Sequence, residues 1–367
     1  MKTGAVILSG GYSSRMNGFK PLMALGKETL IERVVHLFRS CGVDKIVVVT
    51  GHRKKEVKEE AARLGIKSAF NKEYDTGMYS SVCAGVKQMK DMDAFFILPV
   101  DIPLIRPATL SALFEIPLEK GVLYPTFFGE RGHPPLISTA LIPAIVKFDG
   151  KGGLKALLEH FPGKDIAVWD EGILMDADTP EDFVNLEKRL LRMDVGSRLE
   201  AKALAGLVMR KRGVDHGLAV AKIACSIGRA LNRNGFTLDM DRLFNSGLLH
   251  DIAKGEAHHE ERGAEMLKKL GLKRLAGIVG GHRDAVVPKS GKIGEKELVC
   301  LADKLVRGTR RMPVEERFEE KLILYKRDAD ACKAIRKRLA NAKGLERLVI
   351  KSLDRPLDDI VNEAKSR

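Results

Sequence analysis

Ala5-Val6-Ile7-Leu8-Ser9-Gly10-Gly11-Tyr12-Ser13-Ser14-Arg15-Met16 is the stretch that decides the fold. Its first four residues are apolar without alternation, as a strand buried on both faces requires, and such strands belong to parallel sheets. Two glycines follow at once. Lacking Cβ atoms, Gly10 and Gly11 let backbone N–H groups approach a phosphate at the carboxyl end of the sheet. Ser13, Ser14, Arg15 and then Lys20 add hydroxyl and cationic donors where a triphosphate would sit.

Outward from this stretch, Ile46-Val47-Val48-Val49 and Phe95-Phe96-Ile97-Leu98 repeat the continuous apolar pattern. Between the strands, Leu30, Ile31, Val34, Val35 and Phe38 recur at helical spacing. Strand and helix in alternation predict an open α/β sheet, mostly parallel. Further strands are expected at Val122-Leu123-Tyr124, Pro135-Leu136-Ile137 and Ile166-Ala167-Val168-Trp169, with a closing helix over 181–191. The pattern changes around residues 194–197. Beyond it, helical periodicity over 201–210, 218–231, 243–252, 263–270, 298–306 and a long stretch after Val314 predicts an all-α region with no strand. Two domains follow, residues 1–193 and 197–367, as a chain of 367 residues exceeds one ordinary core.

Composition narrows the function classes. Hydrophobic content of 44% and charged content of 31% are those of a soluble globular protein. No apolar run approaches the roughly 20 residues that span a bilayer, so no membrane partner is expected. Met1-Lys2-Thr3 leads straight into a strand, which argues against a signal peptide. Cys41, Cys83, Cys225, Cys300 and Cys332 are widely spaced and read as reduced core residues, which suits the cytoplasm. A net charge of +14 invites a nucleic-acid reading. Against it, the basic residues of the tail alternate with acidic ones, and aromatic content of 5% leaves few stacking platforms. Attraction of anionic nucleotides accounts for the excess as well.

The first half also contains Asn71 with Gly77-Met78-Tyr79-Ser80-Ser81, Asp101-Ile102-Pro103, Gly132-His133-Pro134, Asp149-Gly150-Lys151-Gly152-Gly153 and residues 176–182, Asp-Ala-Asp-Thr-Pro-Glu-Asp. Asp101 directly follows a buried strand. A carboxylate there can hold Mg²⁺ against phosphates, or serve as a turn or cap residue. In that order, over roughly residues 3–190, these motifs resemble the MobA-like nucleotidyltransferases, which make the guanine and cytosine dinucleotide forms of molybdenum cofactor. The resemblance implies a Rossmann-like fold. It further implies that Gly10, Gly11, Ser13, Ser14, Arg15 and Lys20 bind the nucleotide, with Gly77, Ser80 and Ser81 around base and ribose. Asp101 would bind catalytic Mg²⁺, Asp178 would be a second acidic ligand, and His133 would face a phosphorylated pterin-type acceptor. Asp178 reads equally as part of a helix start before Pro180. Gly10-Gly11 is similar to guanylyltransferases, whereas Gly77–Ser81 and residues 176–182 are closer to the cytidylyl branch. CTP is therefore the expected donor, ahead of GTP. Asn17 stands where the family often has Gly.

The second half presents Asp215-His216, His250-Asp251-Ile252-Ala253-Lys254, His259, Gly281-His282 and Ala302-Asp303-Lys304. Imidazoles and carboxylates without thiolates suit a divalent metal such as Mn²⁺, Fe, Ni²⁺, Mg²⁺ or Zn²⁺. Asp303 sits in an apolar run where an unpaired carboxylate is costly, so it pairs with a metal or in a buried salt bridge with an arginine. Together these motifs resemble the HD phosphohydrolase superfamily over roughly residues 197–350. The resemblance implies a metal on His216, His250, Asp251 and Asp303, a phosphate contact from Lys254, and a second metal or substrate contact at His259 and His282. A bifunctional enzyme is the leading reading. A transferase regulated by a nucleotide-sensing, non-hydrolytic HD domain is the next. A molybdenum cofactor insertion protein, with molybdoenzyme apoproteins as partners, is the third.

Overall fold

The fully apolar opening strand becomes the middle of a sheet in the computed structural model, which describes residues 1–16, 18–357 and 359–360. Asn17 lies outside the described residues. The chain divides into two units, Met1–Leu191 and Arg192–Arg367.

The first unit begins with β1 (Thr3–Ser9), the hairpin β2 (Ala24–Leu25) and β3 (Glu28–Thr29), and α1 (Leu30–Ser40). Then come β4 (Lys45–Thr50), α2 (Lys54–Arg63), β5 (Lys67–Phe70), α3 (Met78–Val86), β6 (Ala94–Pro99) and α4 (Pro107–Phe114). It ends with β7 (Val122–Phe127), β8 (Glu130–Arg131), β9 (Leu136–Ser138), α5 (Ile142–Lys147), α6 (Gly153–Leu158), β10 (Gly163–Ala167) and α7 (Pro180–Leu190). Every residue of β1 is buried. It pairs in parallel with β4 on one side and β6 on the other, Ala5 lying opposite Ile46 and Phe96.

Strand order is β10-β7-β9-β6-β1-β4-β5, with β8 paired to β7. The chain thus leaves β1 in one direction, through β4 and β5, and then returns to β6 on the opposite side. At such a reversal the loops leaving adjacent strand ends diverge and open a crevice beyond their carboxyl ends, the usual ligand position in open α/β sheets. The loops after β1 and β6 carry Gly10–Lys20 and Asp101. β9 runs antiparallel to both neighbours. The pairing of β10 stops at Ala167, while Val168 and Trp169 are buried beyond its end. The strand expected at 166–169 therefore starts earlier, because an edge strand is defined by its one partner and not by its apolar residues.

α1 forms where the period predicts it. Thr29 and Glu32 make a reciprocal capping box, and Leu30, Ile31, Val34, Val35 and Phe38 are buried on one face.

The second unit comprises α8 (Arg198–Val208), α9 (Lys211–Arg233), α10 (Met240–Leu249), α11 (His259–Lys269), α12 (Lys273–Val279) and α13 (Glu295–Lys304). After these follow β11 (Val306–Arg307), β12 (Arg310–Arg311), α14 (Val314–Leu324) and α15 (Ala329–Leu353). α9 supplies Val220, Ala224, Ile227 and Leu231 to a core shared with Leu298, Leu301 and Leu305. Backbones of α9 and α10 nearly touch. A Cβ on Gly217 would lie 2.2 Å from Leu248 O, and one on Gly247 would lie 2.7 Å from Cα of Ala221. Only glycine permits this approach, and it sets His216 beside His250.

Two expectations are corrected here. The region is not wholly helical, since β11 and β12 pair antiparallel across Gly308. This ends the helix expected over 298–306 at Lys304. Of the five unpaired cysteines, Cys225 and Cys300 are buried, but Cys41, Cys83 and Cys332 are half-buried, at the C-cap of α1, within α3 and in the first turn of α15. Among the described residues no helix is long and apolar enough to cross a membrane.

Asp239 caps α10, accepting from the N–H groups of Asp241 and Arg242 at 3.0 Å each. Arg192 grips the same carboxylate at 2.5 and 2.9 Å. Burial works against the charge, yet Arg192 and the cap amides hold the pKa down to about 2. The folded value lies below the unfolded one, so the stabilisation is complete above about pH 4 and fades as pH falls through about 2. Asp239→Ala is expected to cost about 2 kcal/mol at pH 7. In urea unfolding of the full chain followed in the far-ultraviolet, that gap should close as pH falls from about 4 to 2.

Candidate functional sites

Beyond the carboxyl ends of β1 and β6, Lys20 Nζ lies 2.7 Å from Asp178 Oδ1 and 3.2 Å from Asp101 Oδ2. One cation bridges two carboxylates. Burial would lower the Lys20 pKa, but hydrogen bonds to Asp178 and Asp101 raise it, so the ammonium stays charged. The loop itself places Lys20: its backbone N–H donates to Ser13 Oγ at 3.0 Å, and Ser13 adopts φ 56°. Ala177 N–H donates to Asp101 O at 2.9 Å, which ties the 176–178 segment to the end of β6. Arg15 stands at the rim, 76% exposed, with its guanidinium 3.9 Å from Asp178. Asp176 joins this acidic group. Burial raises its pKa, as do the carboxylates of Asp178, Asp101 and Asp182.

Gly10 has a steric reason for being glycine, since a Cβ there would meet Ser81 Oγ at 2.8 Å. Gly11 is exposed, with open space around it. Asn71, buried at the end of β5, donates to Ser80 Oγ at 2.7 Å and Ser81 Oγ at 3.0 Å. Ser80 in turn donates to carbonyls of Glu73 and Gly77. The serines are thus engaged in holding the start of α3 against the segment that follows β5. His133 is held through its N–H to Ile173 O at 2.9 Å. Burial lowers its pKa against the opposing effects of Ile97 and Asp101, so it is neutral at pH 7.

In the second unit, three imidazoles share one orientation. Nδ1 of His216 lies 2.8 Å from Gly308 O, that of His250 2.8 Å from Gly247 O, and that of His282 2.6 Å from Val279 O. A carbonyl only accepts, so each Nδ1 carries the proton and Nε2 of a neutral ring presents a lone pair. These lone pairs face carboxylates. Asp303 Oδ1 lies 3.3 Å from His216 Nε2 and 3.7 Å from His250 Nε2. Asp251 lies 3.4 Å from Nε2 of His250, 3.4 Å from that of His259 and 3.9 Å from that of His282. Acceptor against acceptor repels unless something positive lies between them. Consistently, burial opposes charge on His250, but Asp251 and Asp303 raise its pKa. Burial and then His250 push His282 down to about 4. Ligand atoms of His216, His250 and Asp251 lie within 4.8 Å of one another, as do those of Asp251, His259 and His282. Nitrogen and oxygen donors in these sets fit divalent ions, with Asp251 common to both.

Residues 5–166 match the model of the MobA-like NTP transferase domain, and residues 213–308 match that of the HD domain. The chain joins a MobA-like NTP transferase domain to an HD domain. Similar proteins include a molybdenum cofactor cytidylyltransferase of Escherichia coli, 27% identical over 189 residues, which are 50% of this chain and 95% of the relative. An uncharacterised protein of Methanocaldococcus jannaschii is 32% identical over 129 residues, 30% of this chain and 76% of its own. Among solved structures, a nucleotidyl transferase from Methanothermobacter thermautotroptrophicus is 25% identical, covers 52% of this chain and 98% of its own, and has a TM-score of 0.46.

Of the residues singled out in the transferase domain, Lys20, Asp101 and Asp178 come into direct contact, with Arg15 beside them. Ser14 is exposed on the loop, and Gly77 precedes α3 with φ 119°. In the HD domain His216, His250, Asp251, His259, His282 and Asp303 form one cluster of contacts. Lys254 pairs with Asp251. The buried salt bridge considered for Asp303 also exists, since Lys304 approaches Oδ2 at 2.7 Å and Arg317 approaches Oδ1 at 3.3 Å. Asn71, Asp176, Lys304 and Arg317 were assigned no role in the sequence. The motifs containing Asn71 and Asp176, and the adjacency of Lys304 to Asp303, are the signals in the sequence; Arg317 has none.

Proposed function

We propose that the chain transfers a nucleoside monophosphate from CTP or GTP to a phosphorylated pterin-type acceptor, releasing pyrophosphate, and that its HD domain hydrolyses phosphoesters with a divalent metal. The observation that carries the transfer reading is Lys20 held between Asp101 and Asp178 beside a glycine loop at the sheet's reversal point. CTP is favoured by the likeness to a molybdenum cofactor cytidylyltransferase along nearly all of that relative.

An acceptor phosphate is already anionic, so no protein group has to generate a nucleophile. One of its oxygens attacks the α-phosphorus in line, the bond to the bridging oxygen breaks, and pyrophosphate leaves with the electron pair. The backbone around Gly10 and Gly11 receives phosphate oxygens, while Arg15 and Lys20 offset their charge. Asp101 and Asp178 supply the hard oxygen ligands that fit Mg²⁺, which when bound neutralises phosphate charge. His133, neutral and within the field of Asp101, meets the acceptor. The product suits delivery to molybdoenzyme apoproteins. Nucleoside triphosphates and five unpaired thiols suit the cytoplasm.

In the HD domain, His216, His250, Asp251 and Asp303 would hold one ion, with His259 and His282 around Asp251 available for a second. A bound metal there supplies an acidified water and a polarised phosphoryl oxygen. Lys254 reaches out from Asp251 toward the substrate phosphate.

Pyrophosphate release measured with each of four nucleoside triphosphates, Mg²⁺ and molybdopterin tests the transfer reading. CTP is expected to give the fastest release, with GTP next. No release above the acceptor-free rate with any of the four would overturn it.

A further inference from the structure

The carboxylates of the HD site are over-neutralised. Lys254 pairs with Asp251, and Lys304 and Arg317 both pair with Asp303, so three cations stand against two carboxylates. Lys304 and Arg317 are 8% and 16% exposed, which denies their charges ordinary solvation. The neighbouring Glu260 gives no relief, because Arg283 holds it at 3.0 Å. The group is therefore positive by one charge before any metal enters, and each divalent ion increases the excess. A site so charged favours ligands by their number of negative charges. A phosphodiester brings one and a phosphomonoester about two. Pyrophosphate brings more than either, in a compact form that can meet several donors together.

The geometry points to inorganic pyrophosphate as the substrate of the HD domain, the product that the transferase domain releases. This rests on the phosphohydrolase reading above. Water attacks one phosphorus, the bond from that phosphorus to the bridging oxygen breaks, and the second phosphate leaves with the electron pair. The proton lost by water goes to the leaving phosphate or to solvent, and two phosphates result. Lys304 and Arg317 hold one end of the anion from the Asp303 side, and Lys254 meets it from the Asp251 side. Removing pyrophosphate draws the transfer reaction forward by mass action, with no contact between the domains required.

The test uses the full chain carrying Arg15→Ala, Lys20→Ala and Asp101→Ala, which removes both the metal ligand and the phosphate-receiving cations of the first pyrophosphate-releasing site. The metal-free protein is titrated calorimetrically with imidodiphosphate and with methyl phosphate. Imidodiphosphate is expected to bind at least tenfold more tightly, and Arg317→Met to reduce that affinity at least tenfold. Equal affinities, or an unchanged Arg317→Met, would overturn the cation wall. Lys254→Met, at an exposed position, is the second variant and decides the same question where Arg317→Met does not fold. With Mn²⁺, phosphate release from pyrophosphate should exceed release from p-nitrophenyl phosphate or bis-p-nitrophenyl phosphate. Hydrolysis of those esters without pyrophosphate overturns the inference and leaves the phosphohydrolase reading intact. No hydrolysis of any of the three overturns both.

Discussion

Lys20→Ala is expected to slow nucleotidyl transfer by about 10²–10³-fold, the loss typical of removing one preorganised charge contact from a transition state. Asp101→Ala should cost at least as much, while the far-ultraviolet spectrum and melting of both variants stay close to those of the parent. The reason lies in the pairing. Lys20 contacts both Asp101 and Asp178, so its removal takes away the cation between them and leaves two carboxylates repelling each other. Lys20 is part of a polar crevice beyond the carboxyl ends of the central strands, not of the apolar core, which explains why the fold survives. Asp101→Asn separates charge from shape: it keeps the side-chain volume but removes one anionic ligand, and transfer should fall nearly as far as in Asp101→Ala. Steady-state pyrophosphate release with CTP is the measurement. Near-normal turnover in Lys20→Ala and Asp101→Ala would remove both residues from the reaction and, with them, the reading of this crevice as the transfer site.

The parallel strands were legible because burial on both faces leaves continuous apolar runs, as at Val6–Leu8 and Phe95–Leu98. The loop donors were legible as residue types in order. Their pairing was not, since Lys20 and Asp178 are 158 positions apart and only the folded sheet brings them to one end. The direction of β9 was equally hidden, because a strand of three residues carries no information about which way it runs. β11 and β12, two residues each, are too short to show any period. In the HD domain the histidines and aspartates could be named from their chemistry. What gathers them could not. Gly217 and Gly247 read as ordinary helical glycines until the contact of α9 with α10 shows that a methyl group at either would force His216 from His250. Arg317 is the clearest omission: among many basic residues in a mixed-charge tail, nothing distinguishes the one that turns inward to Asp303.

Asp251→Ala should strip the HD domain of bound metal and lower hydrolysis by more than 100-fold, exceeding the 10- to 100-fold effect usual for outer-shell partners. Asp251 is the one residue shared by both donor triads, facing His250 with one oxygen and His259 and His282 with the other. Its loss therefore removes a ligand from two positions together. His282→Ala removes a ligand only from the second triad, so metal content after dialysis against a chelator-treated buffer should fall partway. Asp251 is also held far below the usual carboxylate range: burial works against its charge, but His250 and Lys254 prevail. It thus stays anionic throughout the neutral pH range. Removing it unpairs Lys254, which is largely exposed and regains water at little cost, so unfolding of the domain would not account for metal loss. Elemental analysis of parent and variants, read beside their thermal melts, checks both points. Metal stoichiometry retained in a folded Asp251→Ala protein would show that the ion binds elsewhere. It would also leave the facing lone pairs of His216 and His250 to be satisfied by a proton alone.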